Sequence, residues 1–113
     1  MFARRNRLSS RRVFAQIRQR GVRRSGDYIV VRALSGGNHA PRFAVVMSTK
    51  VAKAAVLRNR HKRIIRDEIR ALIATLSGGW DIVVTVRRAA QTADEEQKIR
   101  EEVRKLFGSP FSV

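Results

Sequence analysis

The sequence predicts a single-domain α+β fold, an α-β sandwich in which helices pack on a small, mostly antiparallel sheet. Its 113 residues suffice for one domain with a modest core, but not for two. Three segments have the β-branched composition of strands, and three others have apolar residues at helical spacing. Their order is α-β-β-(β)-α-β-α, with one further strand left open, which favours helices segregated against a sheet.

The first half of the chain predicts one short helix and two strands. A serine cap and helical spacing of apolar residues predict a helix over residues 10–20. Residues 27–34, DYIVVRAL, have strand composition and lead into a Gly-rich turn at 35–38. Residues 42–48 form the next strand, which we expect to run antiparallel to the first.

The second half of the chain predicts a long helix, a strand and a final helix. The long helix covers about 53–76 and ends at Gly78 and Gly79. Residues 80–87, WDIVVTVR, are the third clear strand. A last helix over 93–107 begins with three acidic residues, which complement the positive end of the helix dipole. Trp80 and Phe107 are expected in the core.

The charge balance points to a phosphate-rich partner. The chain has 25 Lys and Arg against 9 Asp and Glu, a formal charge of +16 and a pI near 11.9. Twenty of the basic residues are Arg, whose planar fork suits two-pronged contact with phosphate and stacking on bases. Genomic base composition alone could also favour Arg over Lys. Residues 1–26 contain nine Arg and no acid, so 1–8 are predicted to form a flexible basic arm of the single domain 1–113.

The sequence disfavours several other classes of protein. There is no cysteine, and no apolar run is long enough for a membrane span or a signal sequence, so a soluble, cytoplasmic protein is expected. Five of the nine acids lie between residues 94 and 102, which is a poor arrangement for a protein-borne metal site.

His39 is expected in a turn and His61 on a helix surface. Phe14 and Phe43 could each fill a core or stack on an unpaired base.

The strongest functional signal is the segment 58–66, RNRHKRIIR, on the long helix. Its apolar residues share one side, and like charges four residues apart destabilise a helix, for which a compensating polyanion is the natural explanation. The alternative is a basic face that is only solvated. Helical phase predicts two basic surfaces. A flank beside the apolar side holds Arg58, Lys62 and Arg66. An outer face holds Asn59, Arg60, Arg63 and Arg70.

This segment resembles the RNR signature of the bacterial ribonuclease P protein subunit. The similarity in order and spacing covers roughly residues 5–107. Besides the signature, it involves Arg7-Leu8, Phe14, the strand from Val45 to Lys50, Asp81 to Val84 with the Arg-Arg pair that follows, and Leu106-Phe107. A second aromatic expected one turn after Phe14 is Arg18 here, and a first-strand aromatic is replaced by Arg32 or its neighbours.

The resemblance implies a protein cofactor of a large catalytic RNA, which together with it removes the 5′ leader of precursor tRNA. The RNA and its bound Mg²⁺ would perform the chemistry, and no obligate protein partner or membrane is implied. Asn59, Arg60 and Arg63 would meet the catalytic RNA, and Arg58, Lys62 and Arg66 would border the cleft for the single-stranded leader. That cleft would include Phe14, Arg18, Arg32 and Phe43. Its contacts with the leader would depend more on guanidinium groups, and less on aromatic rings, than in most members of the family. The family fold also implies a left-handed βαβ crossover.

Three other functions share some of these features. A structural RNA-binding protein would have the same charge without a leader cleft. A small protein nuclease acting alone would need an acid cluster that the sequence lacks. A DNA-binding module is weaker still, because no recognition helix with a dimerising partner is visible.

Overall fold

The computed structural model describes residues 6–35, 39–73, 76 and 79–108. Its elements, in chain order, are α1 (Arg11–Arg20), β1 (Val22–Ser25), β2 (Ile29–Ser35), β3 (Arg42–Met47), α2 (Ala55–Leu72), β4 (Trp80–Val86) and α3 (Ala93–Phe107). The α+β class and the three helices are confirmed. Most of the predicted turn at 35–38, and most of residues 74–78, where the long helix was predicted to end, lie outside the described residues.

Two of the helices begin at hydroxyl caps. Ser10 Oγ accepts the Val13 N–H at 3.3 Å, and Thr92 Oγ1 accepts the Glu95 N–H at 3.1 Å. Ala54, at the start of α2, has no side chain that could cap it. The helix starts at Ala55, later than predicted.

The sheet has the order β1-β2-β4-β3. β2 and β3 do run in opposite directions, but they are not neighbours, because β4 lies between them, antiparallel to β2 and parallel to β3. β4 is buried along almost its whole length, as expected for a strand covered on both faces. The parallel pair β3 and β4 is connected through α2. The left-handedness implied by the resemblance stays a prediction for this unit.

The additional strand is β1, in residues that sequence reasoning left unassigned. It pairs antiparallel with β2, with Val22 opposite Ala33 and Ser25 opposite Val30. Four residues with two adjacent arginines show no apolar alternation. The strand exists because the edge of β2 offers backbone partners, which composition does not reveal.

The two faces of the sheet carry cores of different size. The larger core lies between the sheet and the helices α2 and α3. It includes Ile29, Val31, Ala33, Phe43, Val45, Ile65, Ile69, Ile82, Val84, Ile99 and Val103. The smaller core lies under α1 on the other face, where Leu8, Ile17 and Val83 are buried with Val13, Phe14, Leu34 and Ala44 around them.

The segment before α1 is attached to the edge of β3. Arg7 forms a parallel bridge with Phe43, and the Leu8 N–H donates to the Phe43 carbonyl at 2.9 Å. Asn6 Nδ2 donates to the Pro41 carbonyl at 2.7 Å. Residues 6–8 of the predicted basic arm are therefore held against the sheet, because β3 is an edge strand with free backbone groups. Residues 1–5 lie outside the described residues.

Candidate nucleic-acid interface

A cleft of about 720 Å³ lies between α2 and the edge of β3. Its remaining walls come from the segment before α1 and from α1 itself. The lining residues are Arg7, Leu8, Ser9, Phe14, Phe43, Ala44, Val45, Val46, Asn59, Arg63, Arg66, Asp67 and Arg70. The cleft thus brings together basic side chains from α2 and from the segment before α1, beside an apolar floor.

The basic wall is a single stripe of α2. Asn59, Arg63, Arg66 and Arg70 follow at intervals of four, three and four residues, which places them on one side of the helix. All four are exposed. Arg70 forms an ion pair with Asp67 at 3.5 Å, whereas neither Arg63 nor Arg66 makes an ion pair with a described residue. Two guanidinium groups therefore remain available to an anion in the cleft.

The floor of the cleft is apolar. Phe14 is half-buried on α1, and Val46 on β3 keeps 40% of its surface exposed. Leu8 and Ala44 complete this surface. An accessible ring beside apolar side chains suits the face of an unpaired base, since every base has a π face. The expected role of Phe14 is compatible with its position.

Phe43 has a different environment from Phe14. It is only 2% exposed, and its ring centroid lies 6.2 Å from that of Phe107 on α3, tilted by 34°. Its side chain points to the larger core, because it alternates with Ala44 along β3. Phe43 therefore borders the cleft as a core residue, and the geometry disfavours the base-stacking alternative for it.

The two basic surfaces predicted for α2 are divided differently in the structure. Arg58 Nη1 donates to the carbonyls of Ala52 at 2.9 Å and Lys53 at 2.7 Å, which fixes the loop before the helix. Neither Arg58 nor the half-buried Lys62 lines the cleft. Arg66 does line it, together with three residues assigned to the outer face, Asn59, Arg63 and Arg70.

Arg60 lies on the side of α2 that faces α3. Its guanidinium makes a two-pronged ion pair with Glu96, through Nε to Oε2 and through Nη2 to Oε1, the latter at 2.9 Å. The hydrogen bond from Arg60 lowers the pKa of Glu96 below its usual range, and the same bond raises the pKa of Arg60. Arg60 therefore makes a contact within the fold, although 58% of its side chain remains exposed.

His61 belongs to the packed side of α2, so its expected place on the helix surface was wrong. It is fully buried with Ile64, Ile65 and Ile69. At about 100° per residue, His61 falls in the middle of the arc that these isoleucines occupy, so its burial leaves the direction of the packed side unchanged. Asn59, Arg63 and Arg66 lie on the opposite side of the helix and border the cleft.

Arg18 and Arg32 lie outside the cleft lining. Arg18 is exposed near the end of α1, and Arg32 is half-buried on β2. Arg7 and Arg70, which were not assigned to the cleft, also line it. Arg70 could have been found by extending the Asn59–Arg63–Arg66 stripe one turn, whereas Arg7 depends on the bridge to β3 that sequence does not show.

The carboxylates are concentrated away from the cleft. Glu68 on α2 pairs with Arg104 on α3, with two contacts at 2.9 and 3.0 Å, and Asp81 pairs with Arg42 at 2.7 and 2.9 Å. The hydrogen bond that Arg42 donates to the Asp81 carboxylate raises the pKa of Arg42. These acids neutralise arginines within the fold, whereas Arg63 and Arg66 in the cleft make no ion pair with a described residue.

The described residues contain no group of three or more His, Asp or Glu side chains arranged to hold a metal ion. None of the helices within the described residues is long and apolar enough to cross a membrane.

Comparison with known proteins decides the family. The family model described as Ribonuclease P matches residues 2–110. The chain belongs to the ribonuclease P protein family. Members of this family take part in tRNA processing, and membership implies association with ribonuclease P RNA.

Individual ribonuclease P proteins resemble the chain in both sequence and fold. The ribonuclease P protein component of Rippkaea orientalis is 41% identical over 101 residues, which cover 85% of this chain and 80% of that protein. The Staphylococcus aureus ribonuclease P protein structure has a TM-score of 0.76 at 27% identity, covering 89% of this chain and 94% of that one. The Thermotoga maritima ribonuclease P protein has a TM-score of 0.73 at 30% identity, covering 91% and 96%.

Proposed function

We propose that this chain is the protein cofactor of a ribonuclease P ribonucleoprotein, binding both the catalytic RNA and the single-stranded 5′ leader of precursor tRNA. In this way it promotes cleavage at the mature 5′ end. The observation that carries the proposal is the cleft, which places Arg63 and Arg66 on one wall and the accessible ring of Phe14 on the floor.

The cleft suits a single strand better than a duplex. Phosphates of the strand would contact Arg63 and Arg66, and one base would stack on Phe14, a contact worth about 1–3 kcal/mol. A base paired within an A-form helix cannot present its face to a side chain in this way. Recognition of the leader would favour precursor over mature tRNA, since mature tRNA has no such strand.

The exposed surface of α2 would meet the catalytic RNA. Asn59 and Arg63 are exposed on the wall of the cleft, and the Arg60 side chain remains 58% exposed despite its pair with Glu96. Arginine neutralises phosphate and releases condensed counterions, which makes such binding strongly salt-dependent. A strand in the cleft would therefore lie directly beside the RNA bound to α2.

Catalysis would belong to the RNA and to Mg²⁺ bound mainly by the RNA. The protein, with its net charge of +16, would lower the repulsion between crowded phosphates and so raise Mg²⁺ occupancy on the RNA. We therefore expect a lower Mg²⁺ requirement with protein than without it.

The test is cleavage of a precursor tRNA at low Mg²⁺ by a bacterial ribonuclease P RNA, with and without this protein. Stimulated cleavage at the mature 5′ end that requires both components is the expected result. Tight RNA binding without stimulation would instead indicate a structural RNA-binding protein, and cleavage by the protein alone would indicate a nuclease. An unchanged Mg²⁺ dependence would contradict the electrostatic part of the proposal.

A further inference from the structure

Val56, in the first turn of α2, is the more exposed of two large apolar side chains that the described residues leave in contact with solvent. It is 82% exposed, whereas the other, Val46 in the cleft, is 40% exposed. A β-branched side chain is also less favourable in a helix than alanine. Neither packing in the core nor helix formation therefore accounts for a valine at this position.

Val56 lies at the N-terminal end of the exposed stripe of α2. It precedes Asn59 by three residues and Arg63 by seven, so the three side chains project from the same side of the helix. Asn59 and Arg63 line the cleft, whereas Val56 lies one turn earlier and outside the cleft lining. A strand in the cleft would therefore leave Val56 uncovered.

Val56 forms an apolar patch with Ala54 and Ala55, which are both exposed immediately before it. The exposed Lys53 precedes the patch, and the basic stripe of α2 follows it. Residues 28–66 contain no carboxylate. The patch is therefore small, apolar at its centre and bordered in sequence by cations, a combination that suits a nucleotide with its apolar base and its charged phosphate.

The loop that leads into the apolar patch is attached to the body of the protein. Arg58 Nη1 donates to the carbonyls of Ala52 at 2.9 Å and Lys53 at 2.7 Å. Ala52 itself is buried in the larger core, and its N–H donates to the Ser48 carbonyl at 3.3 Å. The patch is thus held in place before any partner binds, which lowers the entropy that binding would cost.

We propose that the apolar patch packs against one unpaired nucleoside of the catalytic RNA, an inference that rests on the proposed function. An unpaired base can turn its face to an apolar side chain, whereas a base within a duplex cannot. The patch continues the α2 surface that would meet this RNA. Three small side chains can cover one nucleoside, but they are far from the roughly 800 Å² per partner of a stable protein interface.

The experiment measures the affinity of the protein for a bacterial ribonuclease P RNA, without precursor tRNA, at several salt concentrations. Val56→Ala should bind roughly fivefold more weakly, because two methyl groups are no longer buried against the RNA. An apolar contact releases no counterions, so this factor should be the same at every salt concentration. Arg63→Gln should instead lower the slope of log K against log salt by about 0.7–0.9 unit. Gln97→Ala is the matched control, because it shortens another exposed, neutral helix side chain, on α3.

Two further measurements separate binding from folding and locate the nucleoside. Alanine is a better helix former than valine, so the urea midpoint of Val56→Ala should equal or exceed that of the wild type. Acylation of the 2′-hydroxyl groups of the RNA reports which nucleotides are unconstrained. It should reveal at least one unpaired nucleotide that the wild-type protein protects and Val56→Ala leaves reactive.

RNA affinity of Val56→Ala equal to that of Gln97→Ala would overturn the proposal. A loss of affinity that accompanies a lower urea midpoint would do the same, as would protection confined to paired nucleotides. Self-association of the wild type that Val56→Ala abolishes, with unchanged RNA affinity, would assign the patch to a second copy of the chain instead. A wild-type protein that does not bind ribonuclease P RNA would overturn the proposed function itself.

Discussion

His61 and Ala90 are joined by a hydrogen bond in which the imidazole Nε2 accepts the backbone N–H at 2.8 Å. The other ring nitrogen, Nδ1, lies 2.8 Å from the Leu57 carbonyl, one turn earlier in α2. A neutral imidazole with its proton on Nδ1 satisfies both partners, and His61 is fully buried. The middle of α2 is thereby attached to the loop between β4 and α3.

Replacing His61 by Ala should lower the free energy of unfolding by about 3 kcal/mol. The substitution leaves a cavity in the core, and it leaves the buried Ala90 N–H without its acceptor. Urea unfolding followed by circular dichroism measures this loss. His39→Ala is the matched control. That imidazole is 31% exposed, and its contact with Asp81 is long, at 3.7 Å. An equal loss for the two variants would contradict the structural role of His61.

Glu102 on α3 supports the loop before β2. Its carboxylate accepts backbone N–H groups from Asp27 at 2.8 Å, Tyr28 at 3.0 Å and Ile29 at 3.1 Å. The same carboxylate occupies the space that a Cβ on Gly26 would need. Glu102→Ala should therefore cost about 2 kcal/mol of stability, since three donors lose a charged acceptor.

The relation between Glu102 and Gly26 can be tested by a double-mutant cycle. Gly26→Ala should destabilise the wild type by displacing the carboxylate, but it should cost much less when Glu102 is already Ala. Urea unfolding of the four proteins gives the coupling. The exposed neighbour Glu101 provides the control, since Glu101→Ala should change stability only slightly. Strictly additive losses would show that the two positions act separately.

The ion pair between Arg60 and Glu96 should make stability depend on pH in the acid range. The hydrogen bond from Arg60 lowers the pKa of Glu96 in the folded state, so the unfolded state binds a proton more readily. Its contribution is present above the ordinary pKa of glutamate and is lost as the pH falls through the lower, folded-state value. Urea unfolding at a series of pH values should show a smaller acid loss for Glu96→Gln than for the wild type.

Asp94, which is exposed in the first turn of α3, offers the control for this pH dependence. Asp94→Asn should preserve most of the wild-type loss of stability in acid, because its carboxylate lies outside the pair. If Glu96→Gln and Asp94→Asn had the same pH profile, the Arg60 contact would not be the cause.

The helices and the strands with continuous apolar character could be predicted from local pattern. α3 matches its predicted bounds because the Thr92 cap, the acidic first turn and a regular apolar stripe all agree. β1 could not be predicted, since its residues carry no strand pattern and depend on the edge of β2. The position of β4 between β2 and β3 is likewise decided by tertiary packing, which the local sequence of each strand does not show.

The site was predictable in its chemistry but only partly in its geometry. The basic helix and Phe14 stand out in sequence, whereas the partners that orient them are distant. Ala90 is 29 residues from His61, and Glu96 is 36 residues from Arg60. A histidine within a basic run has the composition of a surface, and only its contacts show that it belongs to the core.

Replacing Phe14 by Leu should weaken holoenzyme binding of leader-bearing precursor tRNA and leave binding of leaderless tRNA nearly unchanged. Leucine keeps the apolar contacts with the smaller core but loses the ring face, so the loss should correspond to about 1–3 kcal/mol of base stacking. Binding titrations with the two RNAs measure the difference. Phe43→Leu changes a ring in the core beside Phe107, so it should lower stability without this selective effect. Equal weakening for both RNAs would show that Phe14 supports the fold or the catalytic RNA contact, because leaderless tRNA has no leader base that could stack on the ring.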